Sequence, residues 1–383
     1  MGHFETLDGN FDHFYSSAGN IARGFEEIGA MWSEVGQARG RNDVAAHGVT
    51  LVEAGAKIRA AMSASLNQTV QTTSNPLAPR CVPSAADASI DPSSPCNQKT
   101  TFRTYGELMY SAMLTREQAN DVYLDLQKGN KTSYVTRPMT MGCTGYNNKQ
   151  ATYVAYGMAY GLLAYDEVER VSRGGGWARR SEAALSSPLL KIHPYCTNVK
   201  FLLHYFAMSA HTYTRGTWTT PEATHPDRDI ASTDYVAAGV VTASTYLKWM
   251  LLFEQPDTKT VWIAKALPRE WLSPGEHVDV RNATTRYGRI SFHLAPEIDE
   301  QAPGGRYVVR ANVTTSVVAI NGGFTPPGGV KLRLRAPVPH AGTMSSVTVG
   351  GKAWTAFDPD EETIELGGAS WEALQKIVAV FDN

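Results

Sequence analysis

The sequence predicts a two-part α and β chain, an α/α toroid over residues 1–256 followed by an antiparallel β-sandwich over residues 258–383. Three observations carry that prediction. A chain of 383 residues exceeds what one hydrophobic core usually supports. Apolar residues recur at three- and four-residue steps up to about Glu254, with no clear strand between. From Thr258 the period changes to two.

The helical part reads in order. Residues 11–38 form a helix whose apolar side carries Phe14, Ile21, Phe25, Ile28 and Trp32, and Gly40 stops it. A second helix runs from Asn42, the expected N-cap, to about Leu66, with Val44, Val49, Val52, Ala56 and Ile58 on its apolar side. The short connection makes the pair a helical hairpin. Residues 67–100, rich in Ser, Thr, Asn and Pro, read as a long surface loop. Helices follow over 104–114, 115–128, 148–170, 199–213 and 234–254; Asp234 is the expected N-cap of the last and Pro256 its stop. That makes seven helical segments, and their alternation with long loops fits an α/α toroid. Tyr153, Tyr156, Tyr160 and Tyr165 crowd one helix and read as core and barrel lining. Residues 171–198 interrupt the pattern and read either as an insertion or as a surface loop.

The β part holds seven segments that alternate or run β-branched between Gly, Pro and Asn turns. Lys331-Leu-Arg-Leu-Arg-Ala places Leu332 and Leu334 on one face and Lys331, Arg333 and Arg335 on the other, as a half-buried strand requires.

Composition excludes several function classes. The 35 basic and 37 acidic residues nearly cancel, and no Lys/Arg run provides a footprint for nucleic acid. No run of 18 apolar residues is available to span a membrane. Gly174-Gly-Gly lacks the strand before and helix after that a phosphate loop needs. The serines have no Gly-x-Ser-x-Gly context. His204 and His211 lack a third ligand, Cys143 and Cys196 have no metal-ligand spacing, and neither a metal nor another cofactor is expected. Cys81 and Cys96 bracket a loop that a disulfide would tie down. The start of the sequence lacks a signal-peptide pattern, whereas sequons at Asn67, Asn130, Asn282 and Asn312 weakly favour a secretory route. Oligomeric state is left open.

The densest chemistry lies in residues 215–229. Arg215, Trp218, Glu222, His225, Asp227, Arg228 and Asp229 supply three carboxylates, an imidazole, two guanidinium groups and an indole in fifteen residues. Cleaving a glycosidic bond needs one carboxyl to protonate the leaving oxygen and a second group to activate water or attack the anomeric carbon. Such a segment can supply both, together with a flat ring for a sugar face. The alternative is a solvated polar loop whose charges balance one another.

Arg215-Gly-Thr-Trp-Thr-Thr-Pro-Glu, Trp249-Met-Leu-Leu-Phe-Glu and Val261-Trp-Ile-Ala-Lys-Ala-Leu-Pro-Arg-Glu-Trp-Leu resemble the six-hairpin glycosidases. Arg286-Tyr-Gly-Arg-Ile-Ser-Phe and Val347-Thr-Val-Gly-Gly-Lys-Ala-Trp resemble the sandwich that follows the barrel in many of them. The resemblance covers residues 197–383 well and the earlier helices loosely, and it specifies architecture more than substrate. It implies an (α/α)6-barrel glycoside hydrolase acting on an oligo- or polysaccharide. Glu222 is then the general acid and Asp227 or Asp229 the second carboxylate, with Asp8, Asp12 and Glu107 as further candidates from other hairpins. Trp218 would stack on a sugar ring, and Arg215 and His225 would bind hydroxyls or tune the acid. A complete barrel has twelve helices, so either this chain is a C-terminal fragment or its barrel is incomplete. Two rival readings stay open: a polysaccharide lyase using Tyr213 or Tyr235 with His211 or His225, and a glycan-binding relative without turnover.

Overall fold

The computed structural model describes residues 14–72, 80–83, 85–86, 104–128, 145–146, 149–150, 156–165, 237–299, 306–316, 326–337, 343–367 and 375–382. Helices occupy the N-terminal part of the chain and mostly antiparallel sheets its C-terminal part. Two compact units result, with a break between Leu247 and Lys248. No described helix is long and apolar enough to cross a membrane.

The first unit is built on a long hairpin, α1 (Tyr15–Ala38) and α2 (Asn42–Thr69). Its packing overturns the expected apolar side of α1. Besides Ser16, the buried positions are Tyr15, Gly19, Ala22, Gly29 and Gly36, spaced by three, four or seven, while Ile21, Phe25, Ile28 and Trp32 are exposed. Ile21 keeps 41% of its surface and Ile28 45%; of the expected set only Phe14, just ahead of the helix, is buried. The cause is backbone proximity. A Cβ on Gly29 would stand 2.6 Å from the Gly48 carbonyl oxygen, and one on Gly48 would stand 2.5 Å from that of Gly29. Gly36 meets the Ala45 nitrogen at 2.5 Å and Gly55 the Ala22 carbonyl oxygen at 2.7 Å in the same way. Small residues at this spacing let two helix backbones touch, so the pair forms without large side chains between them. On α2, likewise, Val49 is exposed and Gly48, Gly55, Met62 and Leu66 are buried. The helix begins one residue earlier than a cap at Asn42 implies: Arg41 is the N-cap, Asn42 is already helical, and the Arg41 guanidinium pairs with Asp43.

Shorter elements complete the first unit. Strands β1 (Gln71–Thr72) and β2 (Arg80–Cys81) pair antiparallel inside the stretch expected to be loop, and α2 itself continues three residues past Leu66. Cys81 is buried and disulfide-bonded. Helices α3 (Thr104–Tyr110) and α4 (Arg116–Lys128) follow the two expected segments. Thr115 caps α4, its hydroxyl accepting from the Gln118 backbone while the Gln118 side chain accepts from the Thr115 backbone, a reciprocal capping box. Where a helix was expected from Asn148, β3 (Gly145–Tyr146) turns back onto β4 (Lys149–Gln150), and α5 spans only Tyr156–Ala164. Every residue of α5 after Tyr156 is buried, which agrees with a core position for this helix. The expected helix over 199–213 and the interruption at 171–198 lie outside the described residues.

The last helix, α6 (Ala237–Leu251), gives way to a strand rather than reaching Glu254. That strand, β5 (Leu252–Glu254), pairs with β6 (Val261–Ile263), across which the Gln255 amide bonds back to the Thr260 carbonyl. Strands β7 (Val278–Thr285), β8 (Gly288–Asp299) and β9 (Arg306–Ser316) form a long antiparallel meander. Then come β10 (Val330–Arg333), β11 (Thr343–Val349), β12 (Lys352–Trp354), β13 (Phe357–Asp358), β14 (Thr363–Gly367) and β15 (Gln375–Asp382). They sort into a five-stranded sheet, β13-β14-β10-β6-β5, and a six-stranded sheet, β12-β11-β15-β9-β8-β7. All pairs are antiparallel except β10 with β6. Gly350-Gly351, both at positive φ, close the β11–β12 hairpin, a turn whose dihedrals favour glycine.

One buried cluster draws on both sheets: Val261, Ile263, Leu332 and Ile364 from the first, and Ile290, Phe292, Val309, Ile377 and Phe381 from the second. The polar face expected of β10 is the correction here. Leu332 and Leu334 are buried as expected, but Arg333 is only 1% exposed and Arg335 is buried too. Side chains leave a strand through the faces of its sheet, and here Arg333 and Arg335, the latter just past β10, meet the segment around Lys265 and Leu267, and Arg333 also the Trp262 ring, instead of water. Arg333 and Arg335 donate to the Lys265 and Leu267 carbonyls at 3.0 and 2.5 Å.

Candidate functional site

The residues with the strongest sequence claim, Arg215, Trp218, Glu222, His225, Asp227 and Asp229, lie outside the described residues. So do Asp8, Asp12, Tyr213, Tyr235 and His211. Glu107 is the described member of the candidate set. It sits half-buried in the first turn of α3, where its carbonyl oxygen accepts from the Asn20 side chain at 3.4 Å. A carboxylate in that turn is favoured by the helix dipole.

The first unit also assembles an arginine–tyrosine centre from α1, α3 and α5. The Arg23 guanidinium lies 4.6 Å from the ring centroid of Tyr110 and 4.8 Å from that of Tyr160. Its Nε donates to Glu27 at 2.9 Å, one terminal nitrogen to the Tyr110 carbonyl, and the other to the Tyr160 hydroxyl at 2.9 Å. Tyr110 in turn contacts the rings of Tyr160 at 4.7 Å and Tyr156 at 5.3 Å, the latter edge to face. Such offset and edge contacts match the ring quadrupoles. Burial opposes the Arg23 charge, but Tyr160 and the Glu27 carboxylate outweigh it and hold its pKa above the ordinary value. Burial also pushes the Tyr160 hydroxyl up to about 12, so it stays protonated at neutral pH. Tyr165 is raised for the same reason, and its oxygen accepts from the Leu114 amide at 2.9 Å. Chemically, this centre offers aromatic faces, hydroxyls and a fixed cation.

The second unit carries a basic–aromatic cluster of its own. Trp262 is approached by Lys265 at 4.8 Å, Arg333 at 5.0 Å and Lys331 at 5.5 Å. The Lys265 ammonium also lies 4.8 Å from the Phe253 ring and donates to Gln255 at 2.7 Å. Cations over indole gain from the ring quadrupole, most where water is excluded. Sequence reading singled out neither cluster as a unit, because Arg23 meets Tyr110 and Tyr160 across 87 and 137 residues of chain. The one local signal was the tyrosine spacing on α5. No group of three or more His, Cys, Asp or Glu placed to hold a metal occurs among the described residues.

Comparison of the chain with protein-family models, curated proteins and solved structures found no match.

Proposed function

We propose that the chain is a carbohydrate-active enzyme, a glycoside hydrolase cleaving an oligo- or polysaccharide by paired-carboxylate chemistry. Its scaffold in this reading is an α/α toroid followed by a β-sandwich, of the six-hairpin glycosidase kind. The observation that carries the reading is the segment 215–229, which gathers Glu222, Asp227 and Asp229 with Trp218, Arg215 and His225 ahead of α6 and the sheets. Glu222 is the general acid, and Asp227 or Asp229 activates water or attacks the anomeric carbon. Support for the scaffold comes from the order of the chain, helices first and strands after, and from the core cluster that both sheets share.

The test is hydrolysis of a panel of oligosaccharides, read as new reducing ends. Glu222→Gln should lower kcat by about 10²–10⁴-fold, the range for a lost general acid. Turnover that survives Glu222→Gln, with a product carrying an ultraviolet-absorbing unsaturated uronide, would replace the hydrolase with a lyase. Tyr213, Tyr235, His211 and His225 would then be the residues to vary. Saturable glycan binding without turnover would leave a binding protein.

A further inference from the structure

Three sequons have their asparagines among the described residues, and their surroundings differ. Asn67 is exposed but lies in the last turns of α2, where its side-chain oxygen accepts from Gln118 at 3.0 Å. Thr69 of the same sequon bonds the carbonyls of Ser65 and Leu66 and the Tyr15 hydroxyl. Asn312 is half-buried on β9, between β15 and β8, with Lys376 and His293 as its cross-strand neighbours. Asn282 is different. It lies on β7, the edge strand of the six-stranded sheet, and both it and Thr284 are exposed.

The backbone also singles it out. Register shifts between Val280, which faces Phe292, and Ala283, which faces Ile290, so Arg281 and Asn282 together oppose Ser291. That is a β-bulge, and Asn282 takes φ 52° in it. Asparagine tolerates this left-handed conformation better than most residues. Its backbone N–H donates to the Ser291 hydroxyl at 2.9 Å, and its side-chain amide has no hydrogen-bond partner among the described residues. A second, independent observation comes from the other unit: Cys81 is disulfide-bonded, and structural disulfides belong to oxidising compartments, where N-glycosylation also occurs.

We propose that Asn282 is an N-glycosylation site. The donor is a lipid diphosphate-linked oligosaccharide. The Asn282 amide nitrogen attacks C1 of its reducing-end sugar, a C–N bond forms, and the C1–O bond to the diphosphate breaks. The lipid diphosphate leaves with that electron pair, and the amide proton passes to the transferase's base. Oxidation states do not change. A glycan rooted at this bulge projects from β7, the edge strand of the sheet among the described residues. There it shields unpaired strand edge from a second chain. At Asn67 the acceptor lies in helical backbone and the Thr69 hydroxyl is already engaged, and at Asn312 the same bulk would have to displace the neighbouring strand side chains.

The test is to send the full chain, behind an added secretion leader, through a eukaryotic secretory route and to map glycan occupancy peptide by peptide. The Asn282 peptide should be mostly occupied, with the Asn67 and Asn312 peptides essentially bare. Thr284→Ala, which removes the sequon without touching the bulge residue, should abolish occupancy of that peptide, as should Asn282→Gln. A secreted chain whose Asn282 peptide is bare would overturn the proposal. So would equal occupancy at Asn67 and Asn312.

Discussion

The α1–α2 hairpin and the two-sheet core bury their residues by opposite means. In the sheets, large side chains fill the space: Phe292, Phe381, Tyr307, Ile290 and Leu332 are all essentially inaccessible. In the hairpin, Gly29, Gly36, Gly48 and Gly55 bring backbone to backbone, and the large residues of α1 stay outside. The lesson concerns what hydrophobic periodicity reports. It marks the buried face when side chains provide the contact, and it misleads when the absence of side chains does.

The largest effect expected from this contrast lies in the sheets. Phe292→Ala removes a buried ring from the shared cluster and should cost about 3–5 kcal/mol in urea unfolding, as such truncations do. A much smaller loss would mean that the two sheets do not share a packed core. In the hairpin, Gly29→Leu should destabilise by about 3 kcal/mol, because its Cβ meets the Gly48 carbonyl and Val52 and backbone cannot step aside. Even Gly29→Ala should destabilise, although alanine is the better helix former by about 1 kcal/mol. A rise in stability would refute the close backbone approach.

A pH effect of intermediate size sharpens the same comparison at the arginine–tyrosine centre. Tyr160 ionises near 10 when exposed and near 12 in the folded chain, because burial penalises the phenolate. Its contribution is therefore fully present below pH 10 and is lost as pH rises from about 10 to about 12. The loss is on the order of 3 kcal/mol, from the two-unit shift. Alkaline unfolding with phenolate absorbance followed in parallel would check it, and Tyr160→Phe should remove that part of the pH dependence. The smallest effect belongs to the exposed stripe. Ile28→Ser should change stability by no more than about 0.5 kcal/mol, as surface changes do. A cost of several kcal/mol would restore Ile28 to a buried face.

Legibility followed the same division. Segments β8, β9, β11 and β15 were readable because long alternating strands carry a period that no other element imitates. The two- and three-residue strands β5, β12 and β13 were not, since so short a segment has no period. Leu252-Phe-Glu looked helical because it continued the apolar run of α6; only pairing with β6 makes it a strand. Of the candidate site, Glu107 alone among the sequence-predicted acids is placed, at the start of α3. Arg23 went unnoticed for a physical reason. Its partners come from two other helices, and a cation–ring contact leaves no mark on local sequence.

By itself, then, the sequence determined the order of the chain, helices before strands, and the turns that glycines and prolines enforce. Those properties are local, set by backbone dihedrals and by alternation along a few residues. Tertiary structure alone decided which face of α1 is inside, that Arg333 on a central strand and Arg335 just past it are buried, and that Arg23 stands against two phenol rings. Each depends on what another segment brings to within a few ångströms, and no local pattern encodes that distance.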